Sequence, residues 1–468
     1  MPATNPLRAL ILLATLAATP LIPAATPIKV LIVDGYSNHD WPRNTPRLRS
    51  LLAANPEFQV TVSTAPNTAA APGWDTWRPR FADYDVVIQT CNDIPGGSNG
   101  STPGPQWPKA VQTDFENYVS GGGGVYIYHG ANNAFPNWPA YNQIIGLGWR
   151  PAAFGRAISL SETGELKLHE PGDGDKTGHG PRLNTVVHRR GEHPIHRGFP
   201  SQWMAAELEV YFFARGPAQN VEILSYALDN KTKLYWPVEW TVQYGKGRVY
   251  SSTNGHFWKD QPDPANLNDA AFQTILPRVI QWLAKREVNH PVPPDFPTST
   301  QPSLRLPLFN GQDLAAWVAT KNKKTLDPLD PGTASRFSAK DGILTVHPAP
   351  PGAEQAQQRL TTLRQFSGNF ELRLDFRAEP NADSGLFLRG PQLQVRDYLV
   401  AGPYKALKNY KPGDWNEIVV IVKDNLAHAT CNGELLEAAL PILPSGPIGL
   451  EADRGQMEYR NIRLIPLP

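Results

Sequence analysis

Five prolines crowd the segment 287–303 (Pro291, Pro293, Pro294, Pro297 and Pro302), and the spacing of apolar residues changes from one side of it to the other. Each proline fixes φ and removes a backbone donor, so the segment reads as an extended linker with few contacts to its neighbours. It separates 27–286 from 304–466, each long enough to be one domain. Upstream, 28–33, 85–90, 125–128 and 248–251 are short apolar runs of the kind that form strands buried on both faces. Val111, Phe115, Tyr118 and Val119 recur at helical spacing within 106–120, as do Phe272, Ile275, Leu276, Val279 and Leu283 within 270–285. This alternation predicts an α/β unit on a parallel sheet. Downstream the period drops to two: Phe370, Leu372, Leu374 and Phe376 alternate with Glu371, Arg373, Asp375 and Arg377. Further strands at 415–422 and 457–464 and a hairpin at Asn432-Gly433 complete the pattern of a β-sandwich of jelly-roll type.

Charge narrows the partners. The chain carries 44 basic and 43 acidic residues, a formal net charge of +1, so no field draws it to nucleic acid or an anionic membrane. Two cysteines, Cys91 and Cys431, exclude a disulfide framework and a cysteine-based zinc cluster. At the N-terminus Arg8 precedes an apolar run over 9–18, followed by small residues and prolines to Ala25. That order predicts an export signal over 1–25, cleaved after Ala24 or Ala25. The run is far shorter than the ~20 residues that span a bilayer. The expected mature protein is periplasmic or secreted, with no membrane insertion.

In an open parallel sheet, ligands bind outside the carboxyl ends of the strands. The expected strand ends deliver Asp34, His39, Asn92, His129 and His256 there. An imidazole serves as base, acid or metal ligand. His129 and His256, beside His39, are therefore candidate ligands of a divalent metal. The glycines at 121–124 precede a strand instead of opening a helix, which excludes a dinucleotide loop. Gly-x-Ser-x-Gly is absent, and Cys91 has no glycine elbow around it.

The stretches His129-Gly-Ala-Asn-Asn-Ala-Phe-Pro-Asn-Trp138, Gly178-His-Gly-Pro181, His193-Pro-Ile-His-Arg-Gly-Phe-Pro200 and Tyr244-Gly-Lys-Gly-Arg-Val-Tyr250 with Gly255-His256 give 27–286 its family likeness. The segment resembles the ThuA-like (trehalose utilization) domain. The resemblance implies a flavodoxin-like fold related to class I glutamine amidotransferases. The amidotransferase cysteine elbow corresponds to Tyr128-His129-Gly130, so no glutaminase activity is implied. It marks His129, His179, Glu209 and His256 as pocket residues; Asp34, His39, Asn132, His179 and Tyr211 are the candidate substrate contacts of this domain. Within Trp203-Met-Ala-Ala-Glu-Leu-Glu-Val-Tyr211, Ala205 and Leu208 stand where the family has His and Asp.

Downstream, Leu308-Phe-Asn-Gly-Gln-Asp-Leu314, Asn381-Ala-Asp-Ser-Gly-Leu-Phe-Leu-Arg389, Gly413-Asp-Trp-Asn416, Gly446-Pro-Ile-Gly-Leu450 and Tyr459-Arg-Asn-Ile-Arg463 carry a second likeness. The segment 304–466 resembles the 3-keto-disaccharide hydrolase domain, which implies a concanavalin-like jelly-roll sandwich and an oxidised (3-keto) sugar substrate. A ketone at C3 acidifies the C2 proton; a base removes it and the C1 oxygen leaves, which requires a base, an enolate stabiliser and an acid. Arg389 is the candidate enolate stabiliser and Asp397 the candidate base, with Gln394 beside it. Gln392 occupies the position where the family carries Glu, and Glu451 or Asp453 are candidate replacements. Ser384 and Trp317 are candidate sugar contacts, and Tyr398 and Tyr404 candidate stacking rings. Three readings follow: an enzyme cleaving 3-keto-glycosides, a non-catalytic sugar-binding protein, or catalysis confined to the first domain.

Overall fold

The computed structural model describes residues 26–93, 104–259, 264–321, 324–326, 335–350, 357–400 and 403–467; the export signal expected over 1–25 lies outside them. Among the described residues no helix is long and apolar enough to cross a membrane.

Five strands of the first unit run parallel, in the order Phe58–Thr64, Ile28–Asp34, Val86–Gln89, Gly124–Tyr128 and Gly247–Ser252. Val30 to Val33 and Val86 to Ile88 are buried to the last atom or nearly so, as apolar runs covered on both faces require. Helix Lys109–Gly121 begins three residues later than its spacing suggested, because Pro108 occupies the cap; it buries Val111, Phe115 and Val119. Helix Ala270–Leu283 continues through Pro277 and is capped by Asp269, whose carboxylate accepts from the Ala271 amide. The sheet does not stop at its parallel part. Beyond Gly247–Ser252 it continues antiparallel through Tyr235–Tyr244, Val221–Leu228, Leu183–Arg189 and Gln202–Leu208. The antiparallel extension and the half-exposed edge strand Phe58–Thr64 were missing from the sequence reading. Their polar and charged residues interrupt any continuous apolar run.

The proline segment is extended but not free, which corrects the expectation of few contacts. The Gln281 side chain holds Asn289 and the His290 amide. Phe296 packs on Phe199 with ring centroids 4.4 Å apart, and the Met204 amide donates to the Thr298 carbonyl at 2.7 Å.

In the second unit two antiparallel sheets face each other. One is built around Met457–Pro466, Phe370–Ala378, Asn416–Lys423 and Leu426–Cys431; the other around Gln358–Thr362, Ile448–Ala452, Asp383–Leu388 and Gln392–Arg396. The period-two residues Phe370, Leu372, Leu374 and Phe376 meet Leu386, Leu388, Leu393, Val395 and Leu450 in the core between them. Asn432 (φ 47°) and Gly433 (φ 82°) turn the expected hairpin, both in the left-handed region that a two-residue turn demands. Arg49 of the first unit pairs with Asp341 of the second at 3.0 Å.

Candidate functional site

His129 stands at the carboxyl end of the strand Gly124–Tyr128, at φ 39°, where the chain turns sharply into the short helix His129–Asn133. A side chain held in this region is strained, and the turn aims it off the sheet edge. Gly130 follows because nothing larger fits: a Cβ there would lie 2.7 Å from Nδ1 of His39. His39 itself precedes the helix Trp41–Ala53, which Asp40 caps. The Asp40 amide donates to the Phe257 carbonyl at 2.9 Å, and this bond ties the His39 loop to the loop carrying His256. The Gly255 and His256 carbonyls are held in turn by the Tyr128 hydroxyl and the Asn266 amide.

Three imidazoles thus meet from three segments. Their ring nitrogens lie within 4.8 Å of one another, and all three residues are buried. Nε2 of His129 is 3.2 Å from Nε2 of His39. Nδ1 of His129 donates to the Thr253 carbonyl at 2.7 Å, which fixes the tautomer and leaves the Nε2 lone pair facing the cluster. Burial, reinforced by the neighbouring His256, pushes His39 down to about 3. Burial holds His129 well below the usual imidazole range as well, so both are neutral at pH 7.

On the open side lies a cleft of about 420 Å³ walled by Trp149, His179, Arg182, Glu209, Tyr211 and Trp258. Glu209 is buried, 3.5 Å from Nε2 of His256 and 3.8 Å from Nε2 of His179. Burial raises its carboxyl, an effect partly offset by His179 and Arg182. The Arg182 guanidinium donates to Glu209 at 3.2 Å and to Nε2 of His256 at 3.0 Å. The Tyr211 hydroxyl is 3.5 Å from Nδ1 of His129.

The imidazoles fit a divalent ion. A four-coordinate ion with nitrogen ligands at ~2.1 Å places those nitrogens roughly 3.4 Å apart, close to the His39–His129 spacing. Neutral rings and a backbone carbonyl fixing one tautomer are what such a ligand set needs. His39, His129 and His256 would hold the ion, with Glu209 beside them. Gly130→Ala is expected to push the His39 ring out of this set, lowering turnover at least tenfold with a small change in melting temperature; steady-state kinetics with thermal denaturation checks it.

Two first-domain candidates fall outside the cleft. Asp34 is buried beside Thr64 and Thr45, its carboxyl raised by burial. Asn132 is fully buried and donates to the His129 and Ser252 carbonyls, so it fastens the elbow instead of touching a ligand. Arg182, Trp149 and Trp258 escaped the sequence reading, although Trp258 lies two residues beyond His256 and could have been read with it. Cys91 is fully buried, and burial pushes its thiol up, consistent with no nucleophilic role.

Corrections are larger in the second unit. Arg389, the expected enolate stabiliser, is 1% exposed. At φ 51° it turns its guanidinium inward, donating to the Gly368, Leu443 and Pro444 carbonyls over the Phe370 ring. Asp397, the expected base, is consumed by the Asn381 and Leu399 amides and the Tyr410 hydroxyl. Ser384 points into the core, donating to the Glu451 carbonyl and meeting the Tyr459 hydroxyl. Trp317 and Tyr398 belong to the core, not to a sugar platform, and the Tyr404 hydroxyl donates to Glu437. The core side of these strands takes Leu393, Val395 and Leu450, so Gln392, Gln394 and Glu451 share the opposite, outer face. There Gln392 donates to Glu451 at 2.7 Å, and Gln394 donates to Asp383 at 2.5 Å. Burial first, then the charge of Asp453, raises the Glu451 carboxyl.

A model of the ThuA family, described as trehalose utilisation, matches residues 29–283, more than half of the chain. The chain belongs to the ThuA family. Its second unit, 306–465, matches the 3-keto-alpha-glucoside-1,2-lyase-like domain. A crystal structure of a ThuA-like protein from Parabacteroides merdae is 31% identical over 60% of this chain and 98% of its own, with a TM-score of 0.54. A structure described as a glycosyl hydrolase from Parabacteroides distasonis aligns with 34% of this chain and 93% of its own at 17% identity and a TM-score of 0.27. No curated protein matches the sequence. The ThuA domain thus carries the histidine cleft, and the lyase-like domain carries the Glu451 face.

Proposed function

We propose that this ThuA-family protein is an exported enzyme that breaks the glycosidic bond of 3-keto-glycosides, with the chemistry in the histidine cleft of the ThuA domain. The observation that carries the reading is the meeting of three imidazoles, two of them held neutral, with the raised carboxyl of Glu209 in an open cleft. A carboxylate raised toward neutrality is a more effective base. Glu209 takes the C2 proton, the electron pair of that C–H bond forms a C1–C2 double bond, and the C1–O bond breaks. His179, beside Glu209, returns a proton to the departing oxygen. Water added across the new double bond makes the net reaction a hydrolysis. Arg182 supplies fixed positive charge near the oxygen that gains electron density. A divalent ion held by the three histidines would supply Lewis-acid polarisation of a sugar oxygen.

The parallel order of the first five strands supports a flavodoxin-like, amidotransferase-related core, and the two facing antiparallel sheets support a jelly-roll sandwich. A second reading places an elimination base on the outer face of that sandwich, favoured by the raised Glu451 carboxyl beside Gln392. Elemental analysis of the purified chain is expected to find about one divalent ion per chain. Chelation is expected to remove it and abolish sugar release from a 3-keto-glycoside; full activity of metal-free protein would contradict this.

A further inference from the structure

The chain has 13 tryptophans, and among the described residues Trp258 is the most exposed, at 43%. Leaving an indole in water forgoes a large burial gain, so its place calls for a reason. It lies in the wall of the histidine cleft. Its plane is within 9° of the His256 ring, 6.0 Å away, and it meets the His39 ring edge-on at 5.4 Å. Two of the three converging imidazoles therefore brace it. A ring needed only to wedge the histidines would be covered on both sides; this one keeps nearly half its surface open beside polar groups.

We propose that the indole of Trp258 is the platform on which a pyranose ring stacks, its C–H face on the indole and its reacting carbons beside the imidazoles. The inference rests on the sugar reading above and adds the residue that selects a ring-form sugar. A pyranose presents an apolar C–H face and a rim of hydroxyls. The cleft offers the matching pair: an aromatic surface, and Asn38, Asn133 and His179 as hydrogen-bonding groups around it. Its volume of about 420 Å³ is within the ~300–1,000 Å³ of small-molecule sites. Trp258 touches the sugar away from the bonds that change, so it contributes binding that is equal in ground and transition states.

The test compares the full-length wild type with Trp258→Ala and Trp258→Phe. Kinetics use methyl 3-keto-α-glucopyranoside; binding of its unoxidised parent, methyl α-D-glucopyranoside, is followed by saturation-transfer NMR. For Trp258→Ala, KM is expected to rise roughly tenfold or more at nearly constant kcat, with saturation transfer to the ring C–H protons lost. Trp258→Phe is expected to recover most of both. A fall in kcat at unchanged KM would make Trp258 a brace for the histidines and overturn the platform. Equal binding by wild type and Trp258→Ala would overturn it while leaving the sugar reading intact. Failure of the wild type to bind or turn over either sugar would remove both.

Discussion

Replacing His39 with alanine is expected to lower turnover of a 3-keto-glycoside by roughly 10²–10³-fold, because it removes one of the three imidazoles that would hold the polarising ion. The ring is the cluster member nearest solvent, at 8% exposure, so its removal opens space at the cleft without hollowing the core. Its partners stay in place, because Nδ1 of His129 remains bonded to Thr253 and the Asp40–Phe257 backbone bond does not involve the side chain. The expected signature is therefore a collapse of kcat and of bound metal, with a near-native circular dichroism spectrum. Retention of both kcat and metal content would remove His39 from the site.

The Arg389→Ala variant is expected to behave in the opposite way. Its guanidinium ties the Gly368, Leu443 and Pro444 carbonyls together over the Phe370 ring, and alanine removes these charge-assisted bonds and the ring contact. Losing such a charged donor costs about 3 kcal/mol. In a domain of this size each kcal/mol moves the melting temperature by roughly 2–4 °C. The lyase-like domain should therefore melt about 6–12 °C lower, while kcat per folded molecule holds. Calorimetry alongside kinetics corrected for folded fraction measures both; a lower kcat at an unchanged melting temperature would restore the catalytic role that the sequence suggested.

Arg389 also shows where sequence pattern stops carrying information. Alternation along Asp383–Leu388 places Ser384, Leu386 and Leu388 on the core side, and the structure agrees. One residue later the backbone crosses to φ 51° and the alternation ends. A reversal of that kind leaves no trace in hydrophobic spacing. In the ThuA domain the histidines were legible because short apolar runs fix where buried strands end, and ligand-binding groups follow those ends. Glu209 and His179 became candidates through family likeness alone. His179 lies in the two-residue strand Gly178–His179 and Glu209 directly follows the strand Gln202–Leu208, positions that no hydrophobic period marks. Arg182 was invisible for the same reason: it precedes the strand Leu183–Arg189 in a polar stretch, and only the fold brings it to His256.

Two isosteric variants tested side by side address the central claim, that the ThuA cleft performs the chemistry. Release of the leaving sugar from a 3-keto-disaccharide would be timed for Glu209→Gln and for Glu451→Gln, each in the full-length chain. An amide keeps the shape of either carboxyl and removes its ability to take a proton. The account predicts a fall of roughly 10²–10⁴-fold in kcat for Glu209→Gln and a change within about threefold for Glu451→Gln. Near-native release by Glu209→Gln together with a collapse for Glu451→Gln would contradict it and move the chemistry to the outer face of the sandwich.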